Sequence, residues 1–227
     1  MRINKLLSNY GICSRKDANR IIEDKRVIVN GKLCEKGQWV EETDSILLDG
    51  EPVKKSESIY IALYKPVGIT CTLARDVKDN ILEFLNYPSY LFPVGRLDKE
   101  SEGLILMTND GILANKILES ENNHEKEYIV TLDKAFGNDF IEGMESGVSI
   151  LGKVTKPCKV KRVNEDTFKI ILTEGLNRQI RRMSKAFGFN VIKLKRIRIM
   201  NINLDVEKGK WRYLTCEEVK ECYKRCN

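Results

Sequence analysis

The 227-residue chain is predicted to be an α+β protein: a small N-terminal two-helix-plus-sheet unit, then a larger domain built on a mostly antiparallel mixed sheet. Three observations predict this. Helix and hairpin signals alternate at short range over residues 1–53. Residues 54–58, Lys54-Lys55-Ser56-Glu57-Ser58, contain no apolar side chain and read as a linker. Residues 59–227 are rich in strand patterns but lack the regular strand–helix alternation of a parallel sheet.

In the first unit, Ile3, Leu6, Leu7 and Tyr10 recur at the spacing of an amphipathic helix, which Gly11 stops. Ser14 suits an N-cap, with Asp17 three residues on, for a second helix. That helix turns Ala18, Ile21 and Ile22 inward and Arg15, Lys16 and Arg20 outward. Val27-Ile28-Val29 then enters an Asn30-Gly31 turn, and Ile46-Leu47-Leu48 repeats the pattern into Asp49-Gly50.

The larger domain opens with a strand at 59–63 and the turn Lys65-Pro66-Val67-Gly68, where Pro sets φ and Gly accepts a left-handed conformation. Further strands are expected at 91–97, 104–108, 127–132, 154–163, 168–172 and 191–199, with short helices at 112–118 and 140–144. Thr215 and Glu218 form a capping box for a last surface helix.

Between the strands at 91–97 and 104–108 lies Gly95-Arg96-Leu97-Asp98-Lys99-Glu100-Ser101-Glu102-Gly103. Leu97 is expected to face the core while Arg96 and Asp98 face out. The segment reads either as a solvated hairpin loop or as a mount for an enzyme's carboxylate, because strand ends hold side chains accurately. A second constellation is a helix with Asn177 as N-cap. Arg178, Arg181, Arg182 and Lys185 share one of its faces, and Ile180, Met183 and Phe187 the other. Four like charges on one face repel, so an RNA backbone is expected against them. In 191–200 the polar side changes between Lys195 and Arg196. A bulge there would turn Arg196 and Arg198 toward the same groove.

A hydrophobic content of 42% can supply one good core and a small satellite without staples. Seven cysteines, an odd number, fit reduced thiols better than a disulfide framework. Cys216, Cys222 and Cys226 lack C-x-x-C spacing and His124 is remote in sequence, so no metal site is expected. No apolar run is long enough to cross a bilayer and the first residues lack a signal peptide's apolar stretch, which points to a cytoplasmic protein with no membrane partner. The net charge of +6 is moderate, but its distribution is telling. Residues 1–32 hold eight Lys or Arg against three acids, and residues 176–204 hold eight against none. Two basic zones suggest two contacts to one polyanion, with salt-sensitive affinity.

The segment from Gly95 to Leu104 resembles the signature G-R-L-D-x-x-[ST]-x-G-L of pseudouridine synthases of the RsuA/RluF type. Lys65-Pro66-Val67-Gly68 resembles that family's K-P-x-G turn, Lys126-Glu127-Tyr128 its K-x-Y strand, and residues 174–183 its G-x-x-x-Q-[IVL]-R-R-M element, in the right order along the whole chain. The N-terminal unit resembles the α-L RNA-binding module first named from a small-subunit ribosomal protein. Asn122-Asn123-His124-Glu125-Lys126-Glu127-Tyr128 and residues 175–179 look closest to the RluF branch, which acts on large-subunit ribosomal RNA. The resemblance implies an α-L RNA-binding domain at 1–53, a linker at 54–58 and a catalytic domain at 59–227.

It also implies isomerisation of uridine to pseudouridine in RNA, by a monomer using no metal or small-molecule cofactor. Large-subunit (23S) ribosomal RNA is the favoured substrate. Transfer RNA, or a non-catalytic role in RNA binding or ribosome assembly, are the alternatives. Asp98 is the implied catalytic carboxylate, acting at C1′ as nucleophile or at C2′ as base. Arg181 is the arginine that pairs with it. Tyr128 either stacks on uracil and handles the C5 proton or is an ordinary core tyrosine, and Leu176 and Ile180 line the other side of the base. Arg96 would fill the place vacated by a flipped nucleotide or grip a flanking phosphate. Arg15, Lys16, Arg20, Arg178, Arg182, Lys185, Arg196 and Arg198 are the remaining RNA contacts, and Lys126 and Glu127 are read as solvent-facing.

Overall fold

The computed structural model describes residues 1–74, 76–119 and 123–226. At the N-terminus, α1 (Ile3–Asn9) packs on α2 (Arg15–Glu23). Ser14 caps α2: its Oγ accepts from the Asp17 N–H at 3.0 Å and donates to Asp17 Oδ2 at 2.6 Å. β1 (Val27–Val29), β2 (Lys32–Leu33), β3 (Ile46–Leu48) and β4 (Glu51–Pro52) form an antiparallel sheet in the order β2-β1-β3-β4. Its turns at Asn30-Gly31 and Asp49-Gly50 take positive φ at both central residues, the twist a two-residue hairpin favours. Ile3, Leu6, Leu7, Ala18, Ile22 and Val27 close a core belonging to this unit alone.

Residues 54–58 are irregular but tethered. The Ser56 N–H donates to the Tyr10 carbonyl at 3.0 Å. Asn109 clasps the next stretch, accepting from the Ile59 N–H and donating to the Glu57 carbonyl, each at 2.8 Å.

The larger unit runs β5 (Tyr60–Lys65), α3 (Ile81–Leu85), β6 (Phe92–Val94), β7 (Glu102–Thr108), α4 (Gly111–Leu118), β8 (Lys126–Leu132) and α5 (Asn138–Ser146). A small hairpin of β9 (Ser149–Ile150) and β10 (Lys153–Val154) follows, then β11 (Lys159–Arg162), β12 (Thr167–Leu172), α6 (Gln179–Ala186), β13 (Val191–Ile199), β14 (Ile202–Asn203), β15 (Trp211–Tyr213) and α7 (Cys216–Arg225). Among the described residues the main sheet has nine strands, in the order β11-β12-β8-β13-β7-β5-β15 with β6 on β7 and β14 on β13. The pairing is antiparallel except between β13 and β7.

Both faces of the central strands are covered. Ile61, Leu63, Ile105 and Met107 belong to one core, to which α3, α5 and α6 contribute Ile81, Phe140 and Met183. Ala62, Leu104 and Leu106 belong to the other, closed by Leu113 and Ile117 of α4 and Cys222 of α7. Side chains alternate across a strand, so burial on both sides accounts for the unbroken apolar runs of β5 and β7. Among the described residues no helix is long and apolar enough to cross a membrane.

Two expected strands are shorter or divided. The strand at 91–97 spans only Phe92–Val94, because Gly95 takes φ 78° and turns the chain; Leu97 is buried all the same. The strand at 154–163 splits into β10 and β11. Pro157, between them, has no N–H for a ladder, and Thr155 turns inward to accept from the Val148 N–H at 3.0 Å.

The parallel junction is tight. Arg196 of β13 lies opposite Gly103 of β7, whose φ is 114°. A Cβ on Gly103 would sit 2.2 Å from the Arg196 carbonyl oxygen and 2.6 Å from its nitrogen, so the two backbones touch where any side chain would hold them apart. Gly103→Ala should therefore lower the unfolding free energy by about 2–4 kcal/mol. Gly175→Ala, where the added carbon meets nothing within 4 Å, should change it by about 0.5 kcal/mol or less. Urea unfolding followed by circular dichroism compares the two, and similar midpoints would contradict the steric account.

Candidate active site

Asp98 sits in the loop between β6 and β7, and backbone contacts fix that loop. The Ser101 N–H donates to the Asp98 carbonyl at 3.0 Å, and the Gly68 N–H to the Lys99 carbonyl at 2.8 Å. The Leu97 N–H donates to Cys71 Sγ at 3.4 Å. The Lys65–Gly68 turn thus braces the loop. Lys65 is itself wholly buried, with Nζ donating to the Pro66 carbonyl at 2.9 Å, and burial pushes its ammonium below the usual lysine value.

Facing the loop is the start of α6, which differs from the sequence reading. Arg178, not Asn177, occupies the N-cap, in a left-handed conformation with φ 53° and no side-chain cap bond. Asn177 instead accepts from Arg182, at 3.1 Å through its carbonyl and 3.3 Å through Oδ1. Buried Gln179 organises the approach: Oε1 accepts from the Leu176 N–H at 3.0 Å and Nε2 donates to Glu174 at 2.7 Å.

The four-cation face is consequently broken up. Arg178 leaves the helical face to bond Glu100, with Nη1 3.7 Å from Asp98 Oδ2. Arg181 donates to the Val191 carbonyl at 2.9 Å and to Ser101 Oγ at 3.2 Å, leaving Nε 3.9 Å from both Asp98 Oδ2 and Glu100 Oε1. Lys185 bonds Asn190 at 3.3 Å. The repulsion expected to demand RNA is relieved at Arg178 and Arg181 by the protein's own carboxylates.

Asp98 keeps a side-chain exposure of 33%. At 3.7 and 3.9 Å the guanidiniums are charge neighbours rather than hydrogen-bond partners, so its oxygens stay open to a reacting group. Burial pulls the Arg181 guanidinium down from its ordinary value, opposed by Glu100 and Asp98. A hydrogen bond to Glu100 raises that of Arg178. Burial pushes Glu100 up, but its own N–H and the two arginines outweigh that and hold it below the usual carboxylate range.

Loop and helix meet the sheet around a pocket of about 570 Å³, large enough for a nucleoside. Asp98, Arg181, Tyr128, Leu176, Ile180 and Arg196, singled out in the sequence, all line it. Tyr128, 9% exposed, is both a core side chain and a pocket wall. Exposed Arg96 stands where this pocket meets a groove beside the N-terminal unit, into which Arg15, Lys16 and Arg20 project. Arg182 and Lys185 are exposed and do not line the pocket.

Strand β13 carries two register shifts, between Val191 and Lys193 and between Arg196 and Arg198, rather than one between Lys195 and Arg196. Arg196 pairs with Tyr128 and Arg198 with Glu127; adjacent residues of a strand face opposite ways, so the two arginines do too. Arg198 therefore leaves the groove to bond Glu127 at 2.9 Å, Glu125 at 2.8 Å and the Met200 carbonyl at 2.7 Å.

Lys126 and Glu100 were not read from the sequence as part of the site. Lys126 is not solvent-facing; it lines the pocket, as its shared parity with Tyr128 could have indicated. Glu100 competes with Asp98 for both arginines, and only the fold discloses that. His124, remote in sequence, comes to 3.4 Å from Cys226 Sγ, and among the described residues no group of three or more His, Cys, Asp or Glu could hold a metal. Asn122, part of the RluF-like segment, lies outside the described residues.

Because the Glu100 carboxyl is depressed, its contribution to stability is full above the ordinary value of 4.5 and is lost as the pH falls through the lowered one. In Glu100→Gln, the decline of the thermal midpoint on acidification below about pH 4.5 should be shallower than in the parent protein, as measured by differential scanning calorimetry. Identical slopes would show that Glu100 is not held as described.

Comparison with known proteins adds to this geometry. A family profile described as RNA pseudouridylate synthase matches residues 59–186, and one described as S4 domain matches residues 1–46. The chain is 49% identical over 228 residues to the dual-specificity RNA pseudouridine synthase RluF of Escherichia coli (strain K12), covering 99% of this chain and 79% of that protein. It is 35% identical to the ribosomal large subunit pseudouridine synthase B of Bacillus subtilis (strain 168), covering 96% and 94%. A crystal structure of a pseudouridylate synthase, 29% identical, superimposes with a TM-score of 0.72 over 98% of this chain and 99% of that one.

Proposed function

The chain belongs to the RNA pseudouridylate synthase family, and on that premise we propose that Asp98 carries the isomerisation of uridine to pseudouridine in large-subunit ribosomal RNA. The observation that carries this reading is the Asp98 carboxylate: partly exposed in a nucleoside-sized pocket, with two guanidiniums at 3.7 and 3.9 Å as charge neighbours and no direct hydrogen bond from either.

The chemistry asks for such a group. The bond from ribose C1′ to uracil N1 must break, the base must turn while bound, and C1′ must join C5. Asp98 acts on the ribose, either attacking C1′ or taking the C2′ proton. Arg181, anchored by the Val191 carbonyl and Ser101, holds its charge in place. Tyr128 offers its ring to the uracil face and its hydroxyl to the C5 proton, with Leu176 and Ile180 as the apolar counterpart.

A stacked uridine must be flipped to reach the pocket, which costs roughly a few kcal/mol. Exposed Arg96, at the pocket's edge, is placed to hold the vacated position or a flanking phosphate. Residues 1–53 act as an α-L RNA-binding domain tied through 54–58 to a catalytic domain at 59–227. Arg15, Lys16 and Arg20 lead the RNA along the groove. On this reading the enzyme acts as a monomer, in the cytoplasm with its substrate. The name dual-specificity of the Escherichia coli relative supports keeping a second RNA, such as transfer RNA, in view.

Asp98→Asn and Asp98→Ala should abolish pseudouridine formation while RNA affinity changes by about threefold or less, since both leave the basic groove intact. Product digests and filter binding read the two quantities. Turnover retained by either variant would remove the assignment. Mapping pseudouridines in ribosomal and transfer RNA from cells with and without the gene identifies the substrate; loss confined to transfer RNA would overturn the ribosomal reading.

A further inference from the structure

Lys126 and Arg196 are two pocket cations to which that chemistry gives no task. Arg196 is only 2% exposed. Its Nε donates to the Leu104 carbonyl at 2.7 Å, but Nη2 is buried and finds no hydrogen-bond partner among the described residues. Lys126 lines the same pocket, and its Nζ makes a long hydrogen bond, 3.4 Å, to the His124 carbonyl. Among the described residues neither cation belongs to an ion pair. Glu125 and Glu127, the acids beside Lys126, are engaged by Arg198.

The sheet aims these groups together. Lys126 and Tyr128 are two residues apart on β8, and Arg196 lies opposite Tyr128 on β13, so all three side chains leave the same face. Burial pushes the Lys126 ammonium below its ordinary value and the charge of Arg196 adds to that effect. Two cations desolvated side by side repel, and an anion entering the pocket relieves both.

We propose that Lys126 and Arg196 receive the uracil as it leaves the ribose as an anion, donating to its carbonyl oxygens and stabilising the charge that appears during bond cleavage. This rests on the assignment of Asp98. When the C1′–N1 bond breaks, both electrons go to the base, and the negative charge spreads over N1, O2 and O4. C1′ is left bonded to an Asp98 oxygen or, where Asp98 has taken the C2′ proton, doubly bonded to C2′. The turned base then gives an electron pair from C5 to C1′. The Asp98 oxygen departs, or the proton returns to C2′, and C5 loses a proton while N1 gains one. Nothing is oxidised or reduced, and the sum is an isomerisation.

A backbone phosphate is the rival occupant. Its charge is constant, so cations serving it strengthen RNA binding at every stage, whereas a base anion exists only during turnover and its stabilisation appears in the rate. The two are separated with RNA carrying the target site as uridine or as 5-fluorouridine, whose fluorine withdraws electrons and eases formation of the anion. Single-turnover loss of the N-glycoside and the dissociation constant are measured for the parent protein and for Lys126→Met, which keeps the stem and drops the charge.

Lys126→Met should cleave the uridine substrate roughly 100-fold more slowly and the fluorinated one about tenfold or less, with binding within about threefold and Lys126→Arg recovering most of the rate. If Lys126→Met does not fold, Lys126→Gln carries the same comparison. Equal losses on the two substrates, or an undiminished rate with uridine, would overturn the proposal; equal losses with weaker binding would assign the pair to a phosphate. Isomerisation surviving in Asp98→Asn would instead remove the reading beneath it, whatever Lys126 does.

Discussion

The site depends on the contact between two backbones at Gly103. β7 and β13 run parallel there, and the Arg196 peptide lies where any β-carbon on Gly103 would be. This junction joins the two halves of the sheet: β7 carries the loop that presents Asp98, and β13 carries Arg196 and pairs with the strand that bears Lys126 and Tyr128. Without the close approach the carboxylate and the pocket's cations would belong to separate surfaces.

Charge is sorted within the pocket rather than spread over it. At the mouth, Arg178 and Arg181 divide their attention between Asp98 and Glu100, so the Asp98 carboxylate has charge partners but no tight bidentate grip. Such a grip would stabilise the carboxylate in the resting state as much as in the reaction, which does not accelerate chemistry. On the sheet side, Lys126 and Arg196 stand without counter-ions among the described residues, beside an aromatic ring and apolar walls. A pocket with an anion beside its charge partners on one side and cations without ion-pair partners on another suits a substrate that starts neutral and becomes charged during turnover.

The N-terminal unit is attached with more definition than its polar linker suggests. Tyr10, Ser56, Glu57 and Asn109 tie the segment to both units, and α1 lies against α4. The groove holding Arg15, Lys16 and Arg20 shares Gly95, Arg96 and Leu118 with the pocket, so one strand of nucleic acid can touch both.

The sequence by itself determined the fold class, most strands and helices, the Asn-Gly turn, the Ser14 N-cap, the Thr215–Glu218 capping box and the position of Asp98 in a loop between two buried strands. These follow from local rules of periodicity, capping and glycine placement, all of which operate within a few residues. The tertiary structure alone decided which cations are free. Arg178 left the helix face because a left-handed N-cap, not Asn177, starts α6, and Arg198 turned from the groove because the register shifts before it, not two residues earlier. Lys126 became a pocket residue and Glu100 a rival for the arginines through contacts between segments up to 81 residues apart. Charge pairing acts through space and a single bulge inverts every side chain beyond it, so neither can be read from spacing along the chain.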